Sequence, residues 1–241
     1  MTELRTHRLR KSPQISARDL ADCMAASEVA GRTIVRDSKY QAIGRVIQHS
    51  EARSTASRFI RSSDQDTSVL YNEAQRLRER LADSQFDRDL YDHNADYLDR
   101  FAEVWPSVLL PVAERAAPGP VPWISLSGVR VTIDLHVRLR RLTKTNKIRV
   151  GGVMLRYAKG KALSSKAAQW QSAFLYGYLL RTGTDPDKEP EHKLCITLDA
   201  YAGICHQAPT ASVTWFKNME ATCASIAERW PNIQPPPGAI Y

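Results

Sequence analysis

Acid is nearly absent from one quarter of this 241-residue chain: residues 121–180 hold a single carboxylate, Asp134, among eleven Lys and Arg side chains. That scarcity argues against a divalent-metal site built from this block alone, because such an ion is held by several oxygens, usually from more than one carboxylate. Cysteine is scarce too, and four residues dispersed between Cys23 and Cys223 do not make a disulfide framework at this length. No stretch approaches the roughly eighteen continuous apolar residues of a membrane helix. The basic start, MTELRTHRLRKSPQ, has no apolar core behind it and does not read as a secretory signal. A glycine-rich phosphate loop is missing as well, since Gly151-Gly152 and Lys159-Gly160-Lys161 lack the spacing of either common fingerprint. The expectation is a chain with no membrane partner, placed by default in the cytoplasm.

What is present is positive charge, unevenly spread. The net charge of +8 divides into +6 over residues 1–61, −6 over 62–120, +10 over 121–180 and −2 over 181–241. A run of like charge is often a solvated face, but beside an acidic helical region it also suits a nucleic-acid groove. The side chains that would line such a groove are Arg138, Arg140, Arg141, Lys144, Lys147, Arg149, Arg156, Lys159 and Lys161.

Hydrophobic spacing divides the chain into a disordered basic arm (1–13), a helical region (14–105), an α/β region (106–230) and an irregular proline-rich tail (231–241). Ser16 is placed to cap a helix through ARDLADCMAAS. Ile43, Val46, Ile47, Ala52 and Phe59 fall on buried faces of a helix–turn–helix, and Leu70, Ala74, Leu77 and Leu81 form the stripe of an amphipathic helix. Tyr97, Leu98 and Phe101 line another. Beyond Trp105-Pro106, SVLLPVAERAA reads as a short helix carrying Glu114. Val129, Val131, Ile133 and Leu135 then alternate with polar residues at the period of a half-buried strand. Val129–Leu139 and Ile148–Tyr157 are predicted to pair antiparallel, with Gly151-Gly152 marking a bulge or a close approach. A helix over 164–181 should pack on that sheet through Trp170, Phe174 and Tyr178, followed by one or two strands and a last amphipathic helix. The fold class is therefore α/β, a mixed central sheet flanked by helices with an N-terminal helical layer.

The order helix, strand, strand, strand, helix, strand between about residues 107 and 205 resembles the core of the PD-(D/E)XK nuclease superfamily, most of all its RecB-type branch. Asp134 in VRVTIDL falls at the first acidic position, RYAKGK lies over a phrase of the form DYKTGK, and QWQSAFLYGY supplies Gln169, Gln171, Tyr176 and Tyr178 for the following helix. The resemblance implies Mg²⁺ held by two carboxylates, with a lysine that polarises the attacking water. The match breaks where the chemistry is most demanding. Arg156 takes the place of the second carboxylate and Ala158 that of the lysine; sliding by one residue restores Lys159 but leaves Tyr157 in the acidic place. A guanidinium ~4 Å from the metal position at an effective dielectric of ~20 would oppose a divalent ion by about 8 kcal/mol.

These residues give three readings. The first is a nucleic-acid-binding protein, for DNA or RNA, on a degenerate nuclease-like domain, with no cofactor and with a protein partner in a larger complex. The second is a Mg²⁺-dependent nuclease with Asp134 and Glu114 as metal ligands, Lys159 as the activating lysine and Gln171 orienting the groove. The third is a structural subunit whose basic strip meets an acidic protein. His192, Cys195, Cys205, His206 and Cys223 lack the paired short spacings of a zinc site, and Cys195 and Cys223 read as buried thiols. Asp199 and Tyr201 read as structural or surface groups.

Overall fold

The computed structural model describes residues 5–43, 49–183 and 187–241. Its elements are β1 (His7–Leu9), β2 (Gln14–Ser16), α1 (Ala17–Ala25), α2 (Glu28–Lys39), β3 (Tyr40–Ala42), α3 (Ser50–Arg61), α4 (Ser68–Glu79) and α5 (Gln85–Val104). They continue with β4 (Glu114–Ala116), β5 (Trp123–Leu126), β6 (Val129–Thr132), β7 (Val137–Leu142), β8 (Ile148–Arg156), α6 (Ser165–Thr182), β9 (Lys188–Asp199), β10 (Ile204–Gln207) and α7 (Ser212–Arg229).

A mixed five-stranded sheet in the order β10-β9-β8-β7-β4 carries the fold. Only β8 and β9 run parallel, and α6 makes the crossover that a parallel pair requires. Because successive side chains on β8 point to opposite faces, Val153 and Leu155 enter one core while Met154 enters the other. The first core is closed by α3, α4 and α5 through Phe59, Leu77, Tyr97 and Phe101. The second is closed by α1, α6 and α7 and by a three-stranded sheet, β2-β6-β5, with Phe174, Met219 and Ile226 between them. The expected mixed sheet flanked by helices is present, with Trp170 and Phe174 buried and Tyr178 partly so. The N-terminal helices do not form one layer: α1 joins the second core, and α3–α5 the first.

The strand expected through 129–139 divides. β6 belongs to the small sheet and β7 to the large one, and between them the Leu135 N–H donates to the Ile133 carbonyl at 3.0 Å, a γ-turn centred on Asp134. Hydrophobic alternation runs unbroken through this turn because Ile133 is buried and Leu135 packs against the same core, so periodicity gave no sign of the break. The second half of the expectation holds, with β7 and β8 pairing antiparallel from Val137↔Val153 to Leu142↔Ile148.

The short helix expected around Glu114 is not formed. Pro111 lacks an N–H and disfavours helix at Leu110, and Glu114–Ala116 instead completes the edge of the sheet opposite Arg140–Arg138. The basic arm, expected to be disordered over 1–13, is ordered from Thr6: β1 pairs with β3, and the Thr6 and His7 N–H groups both donate to the Ile240 carbonyl at 3.0 Å. The irregular tail holds this end in place, since the buried Lys39 ammonium donates to the carbonyls of Trp230 (2.7 Å) and Ile233 (3.0 Å). Ile43 and Leu81, expected inside, are exposed, Leu81 because α4 ends at Glu79. Val46 and Ile47 lie outside the described residues.

Gly151 and Gly152 mark both features suggested for them. The β8–β9 register shifts between Val150 and Gly152, and a Cβ on Gly151 would lie 2.2 Å from the Leu194 carbonyl oxygen. The neighbouring backbone cannot retreat without breaking the parallel pair. Gly151→Ala should therefore destabilise the fold by about 3 kcal/mol, read as a fall in the urea midpoint at unchanged slope; an unaltered midpoint would contradict the close approach.

Candidate functional site

At the end of β8, neighbouring side chains face opposite sides of the sheet, Arg156 towards α1 and α6 and Tyr157 towards α5. Ser16 caps α1 by accepting from the Asp19 N–H at 3.0 Å, and one turn further Asp22 faces the sheet. One terminal nitrogen of Arg156 donates to both Asp22 oxygens, at 3.0 and 2.9 Å, and the other donates to Gln171 Oε1 at 3.0 Å. Arg156 is only 8% exposed and Gln171 1%. Burial lowers the guanidinium pKa from its ordinary value and Asp22 opposes that shift. Both terminal nitrogens of the guanidinium are engaged, and it belongs to the interior rather than to the basic surface expected for it.

Asp134 stands at its γ-turn, half exposed, 3.7 Å from the Arg53 guanidinium of α3. Lys159 lies just past β8 and donates to Asp96 of α5 at 2.7 Å; that pairing raises its pKa, so it is held protonated. Glu114 is not with them. It is exposed on β4, 3.5 Å from Arg140, opposite a position six residues beyond Asp134, up to ~20 Å of extended chain. The expected metal pair is Asp134 and Glu114; Asp134 precedes β7, and Glu114 stands opposite Arg140 in its second half. Among the described residues, no group of three or more His, Cys, Asp or Glu is placed to hold a metal ion.

Asp134 and Lys159 both border a cleft of about 1390 Å³, walled by α1, α2 and β3 on one side and by α3 with His93 of α5 on the other. Its floor is made of the β6–β7 connection and the end of β8, with His136 and Tyr157 exposed to it. His136 Nδ1 accepts from the Leu155 N–H at 3.2 Å, and burial pulls this imidazole down to about 4. His49, at the start of α3, is also pulled to about 4, by burial and then by Arg53. Burial and the nearby Asp96 push Tyr157 up to about 12. At neutral pH these three groups are uncharged. Sequence reasoning missed Asp22, Arg53, Asp96 and His49, all distant in the chain from the motifs they meet; His136, two residues beyond Asp134, fell on its strand face but was given no role.

The basic block is less free than its composition suggested. Six of its eleven cations have acidic partners: Arg140 with Glu114, Arg141 with Glu191, Lys147 and Arg149 with Glu189, Arg156 with Asp22, and Lys159 with Asp96. The strip on β7 and β8 is laced to β9, whose Glu189 stands in register with Arg149. Among the described residues, Arg138, Lys144 and Lys161 have no such partner. Cys195 and Cys223 are buried free thiols whose pKa values burial raises. Asp199 is structural, accepting from the N–H groups of Leu163 (2.6 Å), Tyr201 (2.9 Å) and Ala202 (3.1 Å). No described helix is long and apolar enough to cross a membrane.

No protein-family model matches the chain, and no curated protein matches it.

The histidines give the fold a pH signature. A base whose folded pKa is depressed is protonated first in the unfolded chain, so stability is full above about 6.5 and falls as pH drops towards 4. For His136 the shift corresponds to a loss on the order of 3 kcal/mol. Urea midpoints measured between those limits should decline with falling pH, and His136→Asn should flatten the decline. An equally steep decline in the variant would contradict the assignment.

Proposed function

We propose that this chain is a cytoplasmic nucleic-acid-binding protein on a degenerate PD-(D/E)XK-like domain, acting with a protein partner and holding DNA or RNA without cutting it. The observation that carries the non-cutting part is the state of Arg156. Where the resemblance implies a metal-binding carboxylate, this chain has a buried guanidinium bonded to Asp22 and Gln171. The other two members of the implied constellation are engaged as well, Asp134 beside Arg53 and Lys159 with Asp96. Lys159 is held as an ammonium, and Gln171 is turned to Arg156 rather than to a groove.

The binding part is supported by the net charge of +8 and by the basic residues that border the cleft, Arg10, Arg18, Arg53, Arg61 and Lys159. Phosphate recognition needs such side chains at an accessible surface and needs no metal. Against the nuclease reading counts the pairing of Glu114 with Arg140, away from the cleft lining; in its favour counts that Asp134 and Lys159 border one cleft.

The experiment is binding to labelled DNA and RNA across a salt series, with and without Mg²⁺, followed by inspection of product ends. Affinity should fall with salt, by ~0.9 log units per contacted phosphate per decade on duplex DNA, with no cleavage. Mg²⁺-dependent cleavage abolished by both Asp134→Asn and Lys159→Ala would establish the nuclease instead. Absence of binding to either polymer at low salt would favour the structural subunit.

A further inference from the structure

The nucleic-acid reading leaves two possible paths for the polymer: the strip on β7 and β8, or the cleft between α1–α2 and α3. The strip offers charge alone, and most of that charge is answered by Glu114, Glu189 and Glu191. The cleft offers aromatic groups beside charge of both signs, five Lys and Arg side chains and four carboxylates. His49 and Tyr157 both border it, with ring centroids 5.0 Å apart, and Tyr97 backs them at 5.6 Å from His49 and 4.3 Å from Tyr157. Tyr97 is fully buried and holds this pair from behind.

His49 stands in the turn that opens α3, with a left-handed backbone, φ 64°. Its Nδ1 is buried without a hydrogen-bond partner. The same cleft is lined by Arg18 of α1, in no ion pair among the described residues, and, at the far end of α3 from His49, by Arg61, whose Nε donates to the Ser57 carbonyl and leaves its terminal nitrogens for another acceptor.

Ring faces inside a cleft are of use only to bases that are themselves unstacked. In a duplex the base faces are covered by neighbouring pairs, and a protein meets only edges and phosphates. Single strands are held by stacking on aromatic groups while cations follow the backbone, and this cleft combines the two. At about 1390 Å³ it also exceeds the usual range of a small-molecule pocket, ~300–1,000 Å³.

We infer that the cleft takes a single-stranded polynucleotide, with a base stacked against the His49–Tyr157 corner and phosphates met by Arg18 and Arg61. This rests on the nucleic-acid reading above and narrows it to a path and a strand state. A duplex is not the occupant of this site.

The test uses the full chain and a labelled single strand of ~12 nucleotides, with the matching duplex as the comparison. Anisotropy in low salt without Mg²⁺ should give at least ~10-fold tighter binding of the single strand. Tyr157→Ala should weaken single-strand binding by roughly 10-fold, in the range that loss of one stacked base produces, with Tyr157→Phe retaining it. Arg18→Glu, which leaves the aromatic cluster intact, should also weaken it, and Arg138→Glu on the strip should matter less. Equal or tighter duplex binding, with Tyr157→Ala and Arg18→Glu inert and Arg138→Glu damaging, would overturn the cleft path while leaving nucleic-acid binding standing. If neither polymer binds, both inferences fall.

Discussion

A guanidinium taken out of water costs several kcal/mol unless it is paired, and Arg156 at the centre of this protein is paired through both terminal nitrogens. The side chain leaves the end of β8, takes both oxygens of Asp22 from α1, and reaches Gln171 on α6. Three elements far apart in sequence are fixed to one another by that side chain. Since α1 forms part of one wall of the cleft and the end of β8 part of its floor, the cleft's shape depends on the same bonds. On the reading proposed here, an internal cation tethered to the chain stands where a metal-dependent relative would place an acid.

Charge elsewhere in the molecule follows a similar logic of long-range pairing. The positive block of 121–180 looks isolated in sequence because its partners lie outside it, on α1, α5, β4 and β9. Folding brings β9 alongside β8 in parallel, and Glu189 and Glu191 thereby reach cations about forty to fifty residues upstream. Exposed pairs of this kind add little stability each, but they remove free charge from one face. Around the cleft, five Lys and Arg side chains stand among four carboxylates, beside rings that are uncharged at neutral pH.

Much of the fold was legible because its signals are local. Helical spacing located α4, α5, α6 and α7, and Gly151-Gly152 announced a close approach that the 2.2 Å clearance from Leu194 explains. The division between β6 and β7 was not legible, because Ile133 and Leu135 stay apolar on both sides of a γ-turn. The edge strand at Glu114 was misread because sheet-edge demand and Pro111 outweighed a helix-like composition. The ordering of the N-terminal arm depends on carbonyls of the tail, over two hundred residues away. Within the site, Asp134 and Lys159 were found from the motif and do share a cleft. Asp22, Asp96 and His49 were not, because nothing in a helix sequence says which distant strand it will face.

The central claim is that Arg156 and Asp22 stabilise the fold as a mutually dependent pair. A double-mutant cycle on urea unfolding, with Asp22→Asn and Arg156→Met, measures that dependence directly. Each single change should cost about 3 kcal/mol, because Asp22→Asn strands a buried guanidinium and Arg156→Met a partly buried carboxylate. The double variant should cost little more than either alone, giving a coupling of about 2 kcal/mol or greater. Additive costs, with a coupling near zero, would contradict the account.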